Sequence, residues 1–344
     1  MKQTDSTLLK VEKLNKHFPI KKGLFQRNSG SIFAINDVSF TVNKGETLGI
    51  VGESGCGKTT LGRTIIRLYE PTSGQIYFED QEISYLKEPE LRNKVRKQIQ
   101  MIFQDPYASL NPRMTIRSTI TEPYKTHHLY SGKERHERVQ HVLEQVGLDP
   151  SFIDRYPHEF SGGQRQRIGI ARALALEPKL IIADEPVSAL DVSIQAQIIN
   201  LMQDLQKELG LSYLFISHDL SVVRHISHRV GLMYLGHMME LAKTGHIFTN
   251  PLHPYTQALL SAVPMVRSRD TATRERILLS GEIPSPANPP QGCVFHTRCP
   301  YTMPHCRERV PRLLEVAPEH FVACHLHAER GDRTSHEEHL YSNQ

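Results

Sequence analysis

Apolar positions along this chain switch between two periodicities, and the switches mark its elements. Residues 8–14 and 38–42 read as short strands, and Asn43-Lys44-Gly45 is a tight turn leading into a further strand at 47–51. A glycine-rich loop at 52–57 follows, after which apolar residues take helical spacing at Leu61, Ile65 and Leu68. Strand, glycine loop and helix together open an α/β phosphate-binding unit. Residues 88–147 are charged, helical in pattern and interrupted by Pro106, Pro112 and Pro123. That stretch predicts a helical lobe inserted into the α/β body, spanning about residues 88–175. A second α/β block begins at 180–183, a continuous apolar run suited to a strand covered on both faces. Next, Ile194, Ile198, Leu201, Leu205 and Leu209 line one helix face, with Asp191 or Ser193 as cap and Gly210 just past the end. Residues 212–217 form another strand. From Pro251 onward prolines become frequent, which predicts an irregular extension over 251–344 appended to a domain at 1–250.

At 344 residues, 39% apolar and 23% charged, the chain has the makings of a folded protein with a large domain and a smaller one. The 41 basic residues nearly cancel the 37 acidic ones, so long-range attraction to nucleic acid is weak and no nucleic-acid partner is expected. Residues 1–18 lack the apolar core of a secretory signal, so a cytosolic chain is expected. No apolar run reaches the ~18 residues needed to cross a bilayer, so work at a membrane would go through partners. Four of the five cysteines, Cys293, Cys299, Cys306 and Cys324, fall near the end. In a reducing cytosol such a cluster is more often a metal site than a disulfide set.

The loop Gly52-Glu53-Ser54-Gly55-Cys56-Gly57-Lys58-Thr59, followed by Thr60, matches the phosphate-binding P-loop pattern. Its glycines let backbone N–H groups turn inward around phosphates at the positive end of the next helix. Lys58 would reach the β and γ phosphates, and the Thr59 hydroxyl would ligate Mg²⁺. The apolar run at 180–183 ends in Asp184-Glu185, which supplies a carboxylate for Mg²⁺ or its water (Asp184) and one to polarise an attacking water (Glu185). Ser161-Gly162-Gly163-Gln164-Arg165 precedes a helical pattern at Ile168, Ala171 and Leu174. It is a second helix N-terminus fit for phosphate, which one P-loop site does not need. It makes sense if two subunits sandwich ATP.

With these motifs the chain resembles the ATP-binding subunits of ABC transporters over roughly residues 8–250, where it also has Gln104 after a strand, Ser188-Ala189-Leu190-Asp191, and His218 closing a strand. The resemblance implies an α/β P-loop NTPase core of ABC type, with an inserted helical subdomain, ATP and Mg²⁺ as cofactors, and a dimer. By the family pattern Gln104 senses Mg²⁺ and the membrane subunits, Asp191 communicates across the dimer, His218 contacts the γ-phosphate and Phe18 stacks on adenine. Phe160 stands where the family usually has leucine, which keeps an apolar anchor.

The strings QDPYASLNPR at 104–113 and NPLHPYTQAL at 250–259 resemble the peptide importer branch, which includes oligopeptide, dipeptide and nickel systems, and extend the match to about residue 327. That resemblance implies a peripheral subunit on the cytoplasmic face of the membrane, energising oligopeptide or dipeptide import. Its partners would be two transmembrane permease subunits, a homologous second ATPase and an extracellular solute-binding protein. Import of nickel or another small solute, and a soluble ABC ATPase, are the alternatives; a single set of motifs and the lack of coiled-coil heptads count against the second. In this branch a cysteine-bearing tail follows the catalytic domain, here spaced C-x5-C-x6-C-x17-C rather than in the C-x-x-C pairs of common zinc modules. Four thiolates there suit an iron–sulfur cluster or zinc, with buried unligated thiols as the plain alternative.

Overall fold

The computed structural model describes residues 7–22, 27–263 and 276–327. Its strands in chain order are β1 (Thr7–Lys22), β2 (Arg27–Asn43), β3 (Thr47–Val51), β4 (Ser73–Phe78), β5 (Gln81–Glu82), β6 (Ile99–Ile102) and β7 (Leu180–Asp184). They continue as β8 (Ser212–Ser217), β9 (Arg229–Tyr234), β10 (His237–Lys243), β11 (Leu314–Ala317) and β12 (His320–Val322). The helices are α1 (Lys58–Ile65), α2 (Glu88–Glu90), α3 (Pro106–Ser109), α4 (Ile116–Thr126) and α5 (Gly132–Gln145). After them come α6 (Gly162–Leu174), α7 (Val192–Leu209), α8 (Leu220–Ile226), α9 (Thr244–Thr249) and α10 (Pro254–Ser261).

Strands β11-β12-β10-β9-β3-β8-β7-β6, in that spatial order, make the main sheet, while β2-β1-β4-β5 make a smaller antiparallel one. From β9 through β3, β8 and β7 to β6 all pairs are parallel. Every residue of β3, β7 and β8 is buried, which is what unbroken apolar runs require of strands covered on both faces. Alternate side chains enter two separate cores. Leu48, Ile50, Ile182, Leu214 and Ile216 join the small sheet and Leu61 and Ile65 of α1. Ile181, Ala183, Tyr213 and Phe215 join residues of the helices on the opposite face, among them Ile120, Leu143, Ile168 and Ile198. The site residues are therefore carried by a doubly covered sheet, the expected α/β architecture.

Two expectations need correction. The predicted helical lobe does not begin at residue 88: after α2 and one wide turn at Leu91–Val95, β6 pairs with β7 through Ile99↔Leu180 to Ile102↔Ala183 and belongs to the main sheet. Its four residues are too few to show a period behind the basic run Arg92 to Lys97, yet Ile99, Met101 and Ile102 are buried. The extension from 251 is also less irregular than its prolines suggest. Pro254 starts α10, and β12 pairs with β10, so the extension widens the main sheet. Pro at a first helical position loses no intrahelical hydrogen bond, and so it signals a start rather than a break.

The extension is anchored at Glu240, which is fully buried. Its carboxylate accepts the N–H of Leu252 (2.8 Å) and His253 (2.9 Å) and lies 2.7 Å from His320 Nε2. His253 Nδ1 accepts the Tyr255 N–H at 3.0 Å, capping α10 with an unprotonated ring nitrogen, and burial pushes its pKa down to about 4. The unfolded chain protonates histidine near pH ~6.5. Stability contributed by neutral His253 is thus full above that pH and is lost as pH falls from 6.5 toward 4. Glu240 acts in the same direction: burial raises its pKa, but its hydrogen bonds outweigh burial and hold it below the ordinary value of 4.5. Urea midpoints should fall between pH 7.5 and 4.5, and fall less in His253→Asn, whose side-chain oxygen still caps α10 without titrating. Equal falls in both proteins would contradict the assignment.

Candidate active site

Val51, Ile102, Asp184 and Ser217 are the last residues of β3, β6, β7 and β8, four adjacent parallel strands. The loop 52–57, Gln104, Glu185 and His218 all follow directly, so the sheet gathers at one edge residues scattered over more than 160 positions. The carboxyl ends of parallel strands are where α/β sheets bind ligands.

The loop can pass only as glycine at two points. A Cβ on Gly52 would lie 2.1 Å from the Met233 carbonyl oxygen, and one on Gly57, at φ +106°, 2.1 Å from that of Ala34. Gly57 is also the N-cap of α1 and offers no side-chain acceptor, which leaves the first N–H groups of the helix open toward the loop. Ser54 and Gly55 are exposed at its tip, whereas Cys56 is buried, and burial raises its thiol pKa. Lys58, 4% exposed, donates from Nζ to the carbonyls of Gly52 (2.7 Å) and Glu53 (3.1 Å). The Thr60 carbonyl accepts the Thr64 hydroxyl at 2.7 Å.

Beside the loop, the Thr59 hydroxyl donates to Asp184 Oδ1 at 2.9 Å. Asp184 is fully buried, its other oxygen Oδ2 has no hydrogen-bond partner, and burial raises its pKa. A buried carboxylate oxygen left unpaired costs about 1–3 kcal/mol. A hard divalent cation such as Mg²⁺, which takes oxygen ligands, fits this hydroxyl–carboxylate pair.

Glu185 adopts φ +46°, a strained conformation for a residue with a side chain, held by its N–H bond to the Ile216 carbonyl at 2.9 Å. Its Oε2 accepts Gln104 Nε2 at 2.9 Å and lies 3.1 Å from His218 Nδ1. Glu185 therefore touches both of the other residues expected to serve catalysis. Their protonation partners are set by contact: Gln104 supplies a fixed donor, and His218 supplies a second in the tautomer that carries its proton on Nδ1.

Other expected residues stand apart. Ser161 caps α6 in a reciprocal box with Gln164, at 3.3 Å to the Gln164 N–H and 3.0 Å from the Ser161 N–H to Gln164 Oε1. Gly162 and Gly163 begin that helix, and a Cβ on Gly163 would lie 2.6 Å from Ile194 of α7. Among the described residues no hydrogen bond joins 161–164 to 52–60 of the same chain. Asp191 caps α7, accepting the Ile194 N–H at 3.0 Å and the Ser193 hydroxyl at 2.7 Å, and these bonds lower its pKa. Phe18, half-buried on β1, meets Tyr69 edge-on at 5.4 Å, with Lys16 Nζ 4.8 Å from its ring centre. Tyr255, inside the string at 250–259, and Arg298 were given no site role by the sequence, yet both touch the loop from the far end of the chain.

Cys293, Cys299, Cys306 and Cys324 line one small cavity with His253, His296 and His325. Burial pushes Cys293 up to about 11 and Cys324 up to about 12, and raises Cys299. Among the described residues, no three histidine, cysteine, aspartate or glutamate side chains stand as a ready metal-ligand group. The thiols thus share a cavity but not a preformed ligand geometry.

Family comparisons match residues 35–188 to the ABC transporter model and residues 239–306 to the oligopeptide/dipeptide transporter C-terminal region. The oligopeptide transport ATP-binding protein AppF of Bacillus subtilis is 67% identical over 94% of this chain and 98% of its own length. The putative oligopeptide transport ATP-binding protein YkfD of the same organism is 56% identical over 93% of this chain and 95% of its own. Among solved structures, a dimeric ATP-binding cassette in a post-hydrolysis state, bound to ADP and Pi, superposes with a TM-score of 0.61 at 31% identity. It covers 69% of this chain and 99% of that one.

Proposed function

We propose that this chain, which belongs to the ABC transporter family of ATP-binding subunits, powers the import of oligopeptides. It is an ATPase coupled to transport. The oligopeptide cargo is supported by the C-terminal region model at 239–306 and by relatives named for oligopeptide transport; nothing favours nickel or a soluble ATPase instead.

The observation that carries the catalytic reading is the pairing of Thr59 with a buried, half-satisfied Asp184 next to a Glu185 held by Gln104 and His218. Thr59 and Asp184 would hold Mg²⁺, which when bound would offset the charge of the phosphates. On the protein side, loop N–H groups and Lys58 bind the phosphates once Lys58 leaves the carbonyls of Gly52 and Glu53. Thr59 and Asp184 orient the metal, with Gln104 close by. Glu185 accepts a proton from the attacking water, and His218 donates toward the γ-phosphate. Phe18, beside Tyr69, supplies an aromatic ring for adenine to stack on. Ser161, Gly162, Gly163 and Gln164 would serve the ATP of a second subunit placed head to tail, since among the described residues the α6 N-terminus makes no hydrogen bond to its own P-loop; Asp191 caps α7, whose Ile194 lies against Gly163. The second subunit is a homologous ATPase, and two permease subunits and an extracellular solute-binding protein complete the importer.

Among the described residues no helix is long and apolar enough to cross a membrane. Attachment would therefore run through the permeases, at the cytoplasmic face. The tagged chain purified from membranes should bring with it two multi-spanning subunits and a second ATPase; recovery with ribosomes or nucleic acid would overturn the importer reading.

The four thiols sharing one cavity support zinc or an iron–sulfur cluster as its occupant. Protein purified without oxygen should carry zinc, or iron with acid-labile sulfide, and lose it when Cys293 and Cys324 become serine. Metal-free protein from cells supplied with both metals would contradict this.

A further inference from the structure

The second residue of the P-loop pattern is free in the pattern itself, yet here Glu53 is held on all sides. Its side chain receives Arg298 through two bonds, from Nη1 at 2.7 Å and Nη2 at 3.2 Å. Its N–H donates to the Tyr255 hydroxyl at 3.0 Å, and its carbonyl accepts Lys58 Nζ at 3.1 Å. Arg298 and Tyr255 both lie in the C-terminal extension, and both are buried, at 8% and 0% exposure. Neither is free to drift. Tyr255 packs against Tyr234 at 5.0 Å and Phe295 at 5.4 Å between ring centres, and the Arg298 N–H bonds to the Phe295 carbonyl at 3.0 Å, so the turn around Phe295 aims the guanidinium at the loop.

We propose that Arg298 and Tyr255 are positioning residues for nucleotide binding: the extension clamps the Glu53 peptide and thereby fixes the loop that cradles the phosphates. This inference rests on reading 52–59 as the ATP site. A two-bond guanidinium–carboxylate contact fixes direction as well as distance, and with Arg298 buried and Glu53 23% exposed it is only partly screened by solvent. The clamp also bears on Lys58. With the Glu53 carbonyl held still, Lys58 has a defined resting place and a short path to the phosphates. Without the clamp the loop N–H groups are no longer oriented before ATP arrives, and ordering them is charged against binding. The loss should appear at sub-saturating ATP and little once ATP is bound, since Glu185 and its partners sit on other strands.

The test is the ATP dependence of hydrolysis in the assembled transporter. Arg298→Ala should raise KM for ATP about tenfold, the size of a lost charge-assisted hydrogen bond, with kcat within about twofold. Arg298→Lys keeps the charge without the fork and should fall between the two. Tyr255→Phe removes one hydroxyl from an otherwise unchanged ring, so it should fold, and it should raise KM about threefold. Glu53→Ala combined with Arg298→Ala should be no worse than either alone, because both break one contact. Wild-type KM in both Tyr255→Phe and Arg298→Lys would overturn the inference, as would additive losses in the double variant. Lys58→Ala separates the two levels: if it still binds ATP, the site reading itself fails, whereas loss of ATP there with wild-type KM in the extension variants removes only the clamp.

Discussion

Glu185→Gln is expected to leave ATP affinity within about twofold and to cut steady-state hydrolysis at least about a hundredfold, the usual contribution of a positioned general base. The substitution changes one oxygen for an amide nitrogen and keeps the side chain's volume. Gln104 and His218 both approach Oε2, so the amide would turn its carbonyl oxygen toward them and point its NH₂ away. What disappears is the capacity to accept a proton from water. Because Lys58, Thr59 and the loop N–H groups are untouched, ATP should still bind, and trapped ATP-bound dimers should accumulate. Nucleotide binding measured by filtration and phosphate release measured on the same sample separate the two steps. Hydrolysis at the original rate would remove Glu185 from its role.

Asp184→Asn should have two effects of opposite sign. Mg²⁺-dependent hydrolysis should drop by about a hundredfold or more, since a neutral amide is a poor ligand for a hard cation. The nucleotide-free protein should nevertheless become more stable, by about 1–2 kcal/mol, because the buried oxygen now lacking a partner is replaced by a group with no charge to desolvate. The Asn oxygen can keep the Thr59 hydroxyl bond. In the wild type, burial raises the Asp184 pKa, so the folded state holds that proton more tightly than the unfolded chain. Its unfavourable contribution is present above the folded pKa and fades as pH falls, while Mg²⁺ affinity weakens over the same interval. Thermal melting without nucleotide and magnesium titration with ATP test the two signs separately; a destabilised Asn variant would contradict the orphan-oxygen account.

Strands β3 and β8 were legible to the residue because fully buried parallel strands leave unbroken apolar runs, and α7 was legible because Asp191 and Gly210 bracket its apolar stripe. The P-loop and the Asp184-Glu185 pair were visible for a chemical reason: phosphate and metal binding restrict residue type at fixed local spacing. Gln104 and His218 were picked out only through family resemblance, since a lone glutamine or histidine has many ordinary uses, and their contact with Glu185 came only from the fold. Strand β6 was hidden by its length and its basic approach, β11 by its half-exposed residues and β12 by its three-residue length. The Arg298–Glu53 pair was illegible in principle: 245 positions separate its partners, and neither residue type nor spacing announces a contact made by folding.

That ATP hydrolysis at this edge of the sheet drives peptide across a membrane is the central proposal. Its most direct test is uptake of a labelled oligopeptide into vesicles that carry the two permeases, this chain, its partner ATPase and the solute-binding protein. Uptake should require ATP and Mg²⁺ and vanish with Glu185→Gln in this chain. Hydrolysis that proceeds without moving peptide, or that drives nickel uptake instead, would contradict it.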